Sequence, residues 1–176
     1  KGKVFFVTKS YYESIINYHH IKVYAIYHFI SNWYFVNLCN HLVKSNIMKL
    51  SDILSVLEEM APLGYAEDFD NVGLLVGNPN QEIDGVLVCH DALESVIDEA
   101  ISKKCNLVVC FHPILFSGIK KITGKNYVER SILKAIKNDI AIYAVHTALD
   151  NHQKGVNKIF CDALGLKHSK VLIPKE

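Results

Sequence analysis

From Met48 onward the chain alternates between two kinds of hydrophobic pattern. Leu50, Ile53, Leu54, Leu57 and Met60 recur at the spacing of one helix face, with Ser51 and Asp52 suited to its first turn. Ala61-Pro62-Leu63-Gly64 ends that helix, and a polar loop from Glu67 leads to Val72–Val76, a short strand. Gly85-Val86-Leu87-Val88-Cys89 is a continuous apolar run, as expected of a strand covered on both faces. Leu107–Phe111 and Ile140–Val145 are two more. Between them, helical spacing runs from about Leu93 to Lys103 (Leu93, Val96, Ile97, Ala100, Ile101) and from about Tyr127 to Lys137. Val156, Ile159, Phe160, Ala163 and Leu164 mark a last helix, which Gly165 is placed to cap. Strands alternating with helices predict an α/β fold, a three-layer, parallel-rich sheet with βαβαβα crossovers.

Residues 1–47 follow neither period. They hold no proline and no aspartate, and are crowded with Tyr, Phe, Ile, Asn, Lys and His. Position 1 is Lys, and the character of the chain changes at Met48. The expectation is that Met48 is the true start and that residues 1–47 are a poorly ordered read-through of an AT-rich upstream region. Residues 48–176 then form one α/β unit without an internal boundary. The His19-His20 pair falls in the leading segment and is read as having no function.

Composition narrows the function classes. Half of the 176 residues are hydrophobic and the formal net charge is +1, so no overall field draws the chain to nucleic acid or an anionic membrane. No apolar run reaches the roughly 18 residues of a membrane span, and no signal-peptide pattern is present. The expected location is the cytoplasm. Five cysteines without a C-x-x-C pair read as buried, reduced thiols rather than a disulfide framework or a thiolate zinc site.

Chemistry gathers at the strand ends. The first buried strand runs into His90-Asp91, the second into His112-Pro113, the third into His146-Thr147-Ala148-Leu149-Asp150. Ligands bind at the C-terminal edge of open α/β sheets, where these loops converge. Histidine with carboxylate suits zinc, iron, manganese or nickel. Each residue also has a plainer reading. His112 taken alone is a hydrogen-bonding loop residue. Asp150 or Asn151 is the N-cap of the last helix. His146 is either a ligand or a partner that orients one. His152 and His168 read as surface residues. No G-x-G-x-x-G or G-x-x-x-x-G-K motif supports a nucleotide loop, and Ser117-Gly118 is no hydrolase elbow. Lys120-Lys121 and Thr123-Gly124-Lys125-Asn126, leading into a helix, read either as a phosphate holder or as a solvated loop.

Three segments carry a resemblance. Phe69-Asp70-Asn71-Val72-Gly73-Leu74-Leu75-Val76-Gly77 is similar to a "DNVGLLVG" box. Phe111-His112-Pro113-Ile114-Leu115-Phe116 is similar to an "HHP-hydrophobic-F" box. His146-Thr147-Ala148-Leu149-Asp150 with Gly155-Val156-Asn157 is similar to "HTNLD…GVN". All three belong to the Nif-three-like proteins (NGG-interacting factor three), also labelled GTP cyclohydrolase 1 type 2 homologues, and the resemblance runs from Met48 to the end. It implies the N-terminal half of that fold and a dinuclear centre of divalent metal ions, with His112 and Asp150 as ligands and a His and a Glu from a C-terminal half. It also implies a toroidal homo-hexamer. Phe111 replaces the first histidine of its box, and His90 is expected to supply the missing imidazole. The segment Val171–Glu176 falls where longer members begin an inserted domain, so the further ligands are expected beyond this stretch. If the complete protein is an enzyme, it resembles a dinuclear-metal hydrolase acting on a nucleotide or phosphoester, with His146 or Asp91 as base or orienting group. The alternative is a non-enzymatic metal-binding, metal-trafficking or regulatory assembly, or a structural metal that holds a ring together.

Overall fold

The computed structural model describes residues 15–18, 21–25 and 48–173. Its centre is three short strands: β4 (Val86–Cys89), β5 (Leu107–Cys110) and β6 (Ala141–Ala144). They pair in parallel, with Cys89 opposite Cys110 and Cys110 opposite Ala144. Parallel pairing needs a crossover. Helix α2 (Glu94–Lys103) makes the first and α3 (Tyr127–Lys137) the second.

Side chains alternate across these strands. Val86, Leu107, Val109, Ala141 and Tyr143 face Leu50, Ile53 and Leu57 of helix α1 (Leu50–Met60). Leu87, Cys89, Val108, Cys110, Ile142 and Ala144 face Ile97 and Ala100 of α2 and Ala135 of α3. The sheet is therefore the middle of three layers, and every central strand position except the half-buried Val88 is inside, which is why these runs are apolar without alternation. The α/β, parallel-rich expectation is borne out. Arg130 to Glu94 (2.9 Å) and Lys134 to Asp98 (2.7 Å) tie α3 to α2 on the solvent side.

Strand β3 (Gly73–Val76) adds antiparallel to the outer edge of β6, with Gly73 opposite Ala144. This placement matters for the site, because it brings the preceding loop, Phe69 to Asn71, beside the residues that follow β6. At the other edge, β1 (Ile15–Tyr18) and β2 (Ile21–Ala25) form an antiparallel pair, and β2 lies parallel to β4. The full order is β1-β2-β4-β5-β6-β3. The expectation of a poorly ordered leader, and the His19-His20 pair, otherwise lie outside the described residues.

The chain leaves β6 differently from the expected pattern. His146–Asp150 is a short helix, α4, and the last helix, α5 (Val156–Ala163), has Gly155 as its N-cap. Asp150 therefore closes α4 and does not cap α5. Gly165, at φ +72°, follows α5 in the left-handed conformation expected of it. Cys89, Cys105 and Cys110 are buried thiols outside any disulfide, Cys161 is half-buried and likewise unbridged, and Cys39 lies outside the described residues. Burial pushes the Cys110 thiol up to about 12, so it stays protonated and inert. No helix among the described residues is long and apolar enough to cross a membrane.

Candidate metal centre

The backbone ladder continues past the ends of β4, β5 and β6. His112 N–H donates to His90 C=O at 3.0 Å, and His146 N–H donates to Phe111 C=O at 3.0 Å. These bonds set three histidines from three sequence-distant turns side by side. The ring centroid of His112 is 4.3 Å from that of His90 and 5.3 Å from that of His146. His90 lies nearly parallel to Phe111, 5.3 Å away at 7°. The aromatic ring at position 111 is thus a platform for the imidazole at position 90.

One nitrogen each from His90 and His112 and one carboxylate oxygen of Asp91 lie within 4.8 Å of one another. Tetrahedral zinc ligands at about 2.1 Å are about 3.4 Å apart. Small side-chain rotations would close the cluster on a cation, since His90 and Asp91 are exposed. Two imidazoles, one of them held by a carboxylate, suit the borderline divalent metals, so the residues present fit such an ion. Asp91 Oδ1 sits 2.8 Å from His112 Nδ1. With Nδ1 engaged there, Nε2 is the nitrogen of His112 left for a ligand, the usual division of labour in a carboxylate–histidine–metal arrangement.

A second carboxylate–histidine pair stands beside the first. Both Asp70 oxygens lie 2.9 Å from His146 Nδ1. Thr147 donates to the same carboxylate through its backbone N–H (3.1 Å) and its hydroxyl, and Asn71 N–H donates at 2.8 Å. The Asp70 side chain is fully closed off from solvent. Burial alone would raise its pKa; the hydrogen bonds from His146, Thr147 and Asn71 outweigh that and hold it below the ordinary carboxylate value. His146 has φ +23°, a conformation that costs a non-glycine residue about 1–3 kcal/mol and persists only where its surroundings over-determine it. Here the Asp70 pair and the bond to Phe111 do so.

Asp150 is half-buried at the end of α4 and senses the charges of His146, Asp70 and His112. Burial raises its pKa most, His146 pulls it down, Asp70 raises it further and His112 pulls it down, with a net rise. A carboxylate with raised proton affinity beside a second carboxylate is a place where a cation would be favoured. Gly155 permits the turn behind it: a Cβ there would lie 1.8 Å from Leu149 C=O. That close backbone approach packs the start of α5 onto α4.

Of the expected site residues, His90, Asp91 and His112 gather in one cluster; the His146 ring lies beside His112, and Asp150 lies outside the cluster, near enough to sense the charges of His146 and His112. Sequence reasoning missed Asp70, 76 positions from His146. Its signals were its place in the box similar to "DNVGLLVG" and just before the strand that borders β6. The basic loop Lys120–Asn126 is filled from within. The Glu129 carboxylate accepts Thr123 N–H (2.8 Å), Thr123 Oγ1–H (2.9 Å) and Lys125 N–H (3.0 Å). The donors that a phosphate would need are thus taken by the protein itself. His168 is exposed, while His152 is half-buried and stacks on Tyr65 at 5.9 Å.

Residues 48–176 match the family model described as Duf34/NIF3 (NGG1p interacting factor 3). The GTP cyclohydrolase 1 type 2 homolog of Clostridium acetobutylicum is 40% identical over 125 residues, covering 71% of this chain and 47% of the relative. The protein of the same name in Bacillus subtilis is 43% identical over 122 residues, covering 69% and 33%. The crystal structure of a Bacillus cereus protein related to NIF3 superposes with a TM-score of 0.70 at 39% identity, covering 75% of this chain and 37% of that one. The chain thus spans between a third and a half of the length of these relatives.

Proposed function

This chain belongs to the Duf34/NIF3 family, as its three boxes indicated, and on that premise we propose that it forms one wall of a divalent-cation site at which the complete protein hydrolyses a nucleotide or phosphoester. The observation that carries the reading is the convergence of His90, Asp91 and His112 within 4.8 Å at the C-terminal edge of a parallel sheet. His112, tied through Nδ1 to Asp91, ligates through Nε2. His90, braced on Phe111, stands in for the imidazole that position 111 lacks. Asp150 supplies a carboxylate whose raised proton affinity a cation would offset. A divalent cation bound there supplies Lewis-acid polarisation and a water acidified toward neutral pH. The full set is two cations, of zinc, iron, manganese or nickel, completed by ligands from elsewhere in the protein.

The name of the bacterial relatives would narrow the substrate to GTP; hydrolysis of the wider nucleotide and phosphoester class is the reading kept here. For the complete protein we further propose a homo-hexamer in the cytoplasm, which light scattering and fractionation test directly.

The test of function is turnover on a panel of nucleotides and phosphoesters by the complete protein, with and without chelator. Activity that chelator removes, and that His112→Ala and Asp150→Ala abolish, is the expected result. Activity unchanged in both variants would overturn the assignment. Stoichiometric metal without turnover on any substrate would replace the hydrolase by the rival reading, a metal-binding or metal-trafficking protein.

A further inference from the structure

The ligating groups assigned above leave Asp70 and His146 without a role. Their pairing has a direction that chemistry alone fixes. Each Asp70 oxygen already faces a group that can only donate: Oδ1 takes Asn71 N–H and Oδ2 takes Thr147 N–H. A carboxylate surrounded by donors has only acceptor capacity, so the His146 atom 2.9 Å from both oxygens must be an N–H. Nδ1 therefore carries a proton, and in the neutral ring Nε2 is the bare acceptor. The two ring nitrogens point apart, so Nε2 looks away from Asp70. Among the described residues, the rings around His146 are Phe111 (5.5 Å), Phe116 (6.4 Å) and His112 (5.3 Å). The one polar ring among them belongs to the cluster.

We propose that Asp70 is a positioning residue, which fixes the tautomer and orientation of His146 so that Nε2 is an unprotonated acceptor presented to the His90–His112 cation cluster. The inference rests on the cation reading above and extends it to two residues that the reading leaves unused. It also accounts for the strained backbone of His146, since the buried pair and the ladder bond together hold the ring in one place.

Substitution by asparagine is the discriminating change. An amide keeps the shape of Asp70 but turns one acceptor into a donor, and every neighbour on both oxygens is already a donor. The strain is relieved when the imidazole moves its proton to Nε2, the reversal seen when a triad aspartate becomes asparagine.

The experiment is long-range proton–nitrogen NMR on this chain with 15N-labelled histidine, at about pH 8, above the ordinary value for a histidine side chain, before and after adding Zn2+. In the unaltered chain His146 shows a protonated Nδ1 and a bare Nε2, and zinc shifts that Nε2 signal together with those of His90 and His112. Asp70→Asn reverses the tautomer, abolishes the zinc-induced shift at His146 and lowers zinc affinity about tenfold; Asp70→Glu restores the tautomer. A merely structural strut would leave the His146 Nε2 signal unmoved by zinc. A protonated Nε2 in the unaltered chain overturns the inference, as does zinc that moves His90 and His112 but not His146. Zinc that moves none of the three overturns the cation reading and the presentation of Nε2 with it. The metal-free tautomer tells that failure apart from a wrong orientation.

Discussion

Asp91 meets His112 across 2.8 Å on the rim of the sheet, and Asp70 meets His146 across 2.9 Å beside it. The contact is the same and the surroundings are opposite. His112 and Asp91 are 44% and 49% exposed, whereas His146 and Asp70 are 20% and 0% exposed. Water screens the first pair and competes for its hydrogen bonds, so it adds little to stability and leaves both groups mobile enough to rearrange around a cation. The second pair is largely shielded from water. Its carboxylate is satisfied by three further donors from Thr147 and Asn71, and removing it would strand them all. One edge of a sheet thus holds an adaptable pair and a rigid one, suited to gripping and to aiming respectively.

The largest expected effect separates the two. Asp70→Ala should destabilise the fold by about 1–2 kcal/mol in urea unfolding, since it leaves the partly buried Thr147 donors unpaired. The loss should depend on pH. A carboxylate held below its ordinary value contributes stability above that value and loses it as pH falls through the folded pKa. The gap between the unaltered chain and Asp70→Asn should therefore be full at neutral pH, shrink below about pH 4 and close at lower pH. A gap constant down to strong acid would show that Asp70 is not the ionised partner.

Asp91→Ala should do the reverse. Zinc affinity, read by calorimetric titration, should fall about tenfold as His112 loses its orienting partner, while unfolding stability changes by less than about 0.5 kcal/mol. Equal stability losses at Asp91 and Asp70 would erase the distinction between the pairs.

The smallest effect has the opposite sign. Asp150 is raised above its ordinary value by burial, so its contribution to stability is present in acid and lost as pH rises through its folded pKa. Asp150→Asn, measured without added divalent cation, should be more stable than the unaltered chain by up to about 1 kcal/mol at neutral pH. A loss of stability there would mean that Asp150 is paired in a way that its surroundings do not reveal.

Much of this organisation was legible from residues alone, for identifiable reasons. A strand covered on both faces must be apolar throughout, so Val86–Cys89, Leu107–Cys110 and Ala141–Ala144 stood out, and the polar groups after each could be placed at one edge. Asp70 was marked by its box, but nothing in the sequence tied it to His146. Its role comes from β3 pairing antiparallel to β6, a contact across dozens of residues. The short helix α4 was hidden because His146–Asp150 is too brief to show a period. The same brevity made Asp150 look like the cap of the helix that follows, a place that Gly155 occupies. Strands β1 and β2 sit in a segment with no sustained alternation. The loop before α3 looked basic and open; only the fold shows Glu129 turned back into it.

That carboxylate gives a further pH handle, remote from the candidate centre. Hydrogen bonds from Thr123 and Lys125 hold Glu129 below the ordinary glutamate value. Its contribution should persist above that value and vanish as pH falls through the lowered one, and Glu129→Gln should flatten this part of the acid-unfolding profile.

The account depends most on a cation binding where imidazoles from separate turns meet. Crystals of the complete protein soaked in Zn2+, with data collected at the zinc absorption edge, address this directly. The account predicts an anomalous peak about 2.1 Å from a ring nitrogen of both His90 and His112. A fully occupied peak elsewhere on the protein, with His90 and His112 bare, would contradict it.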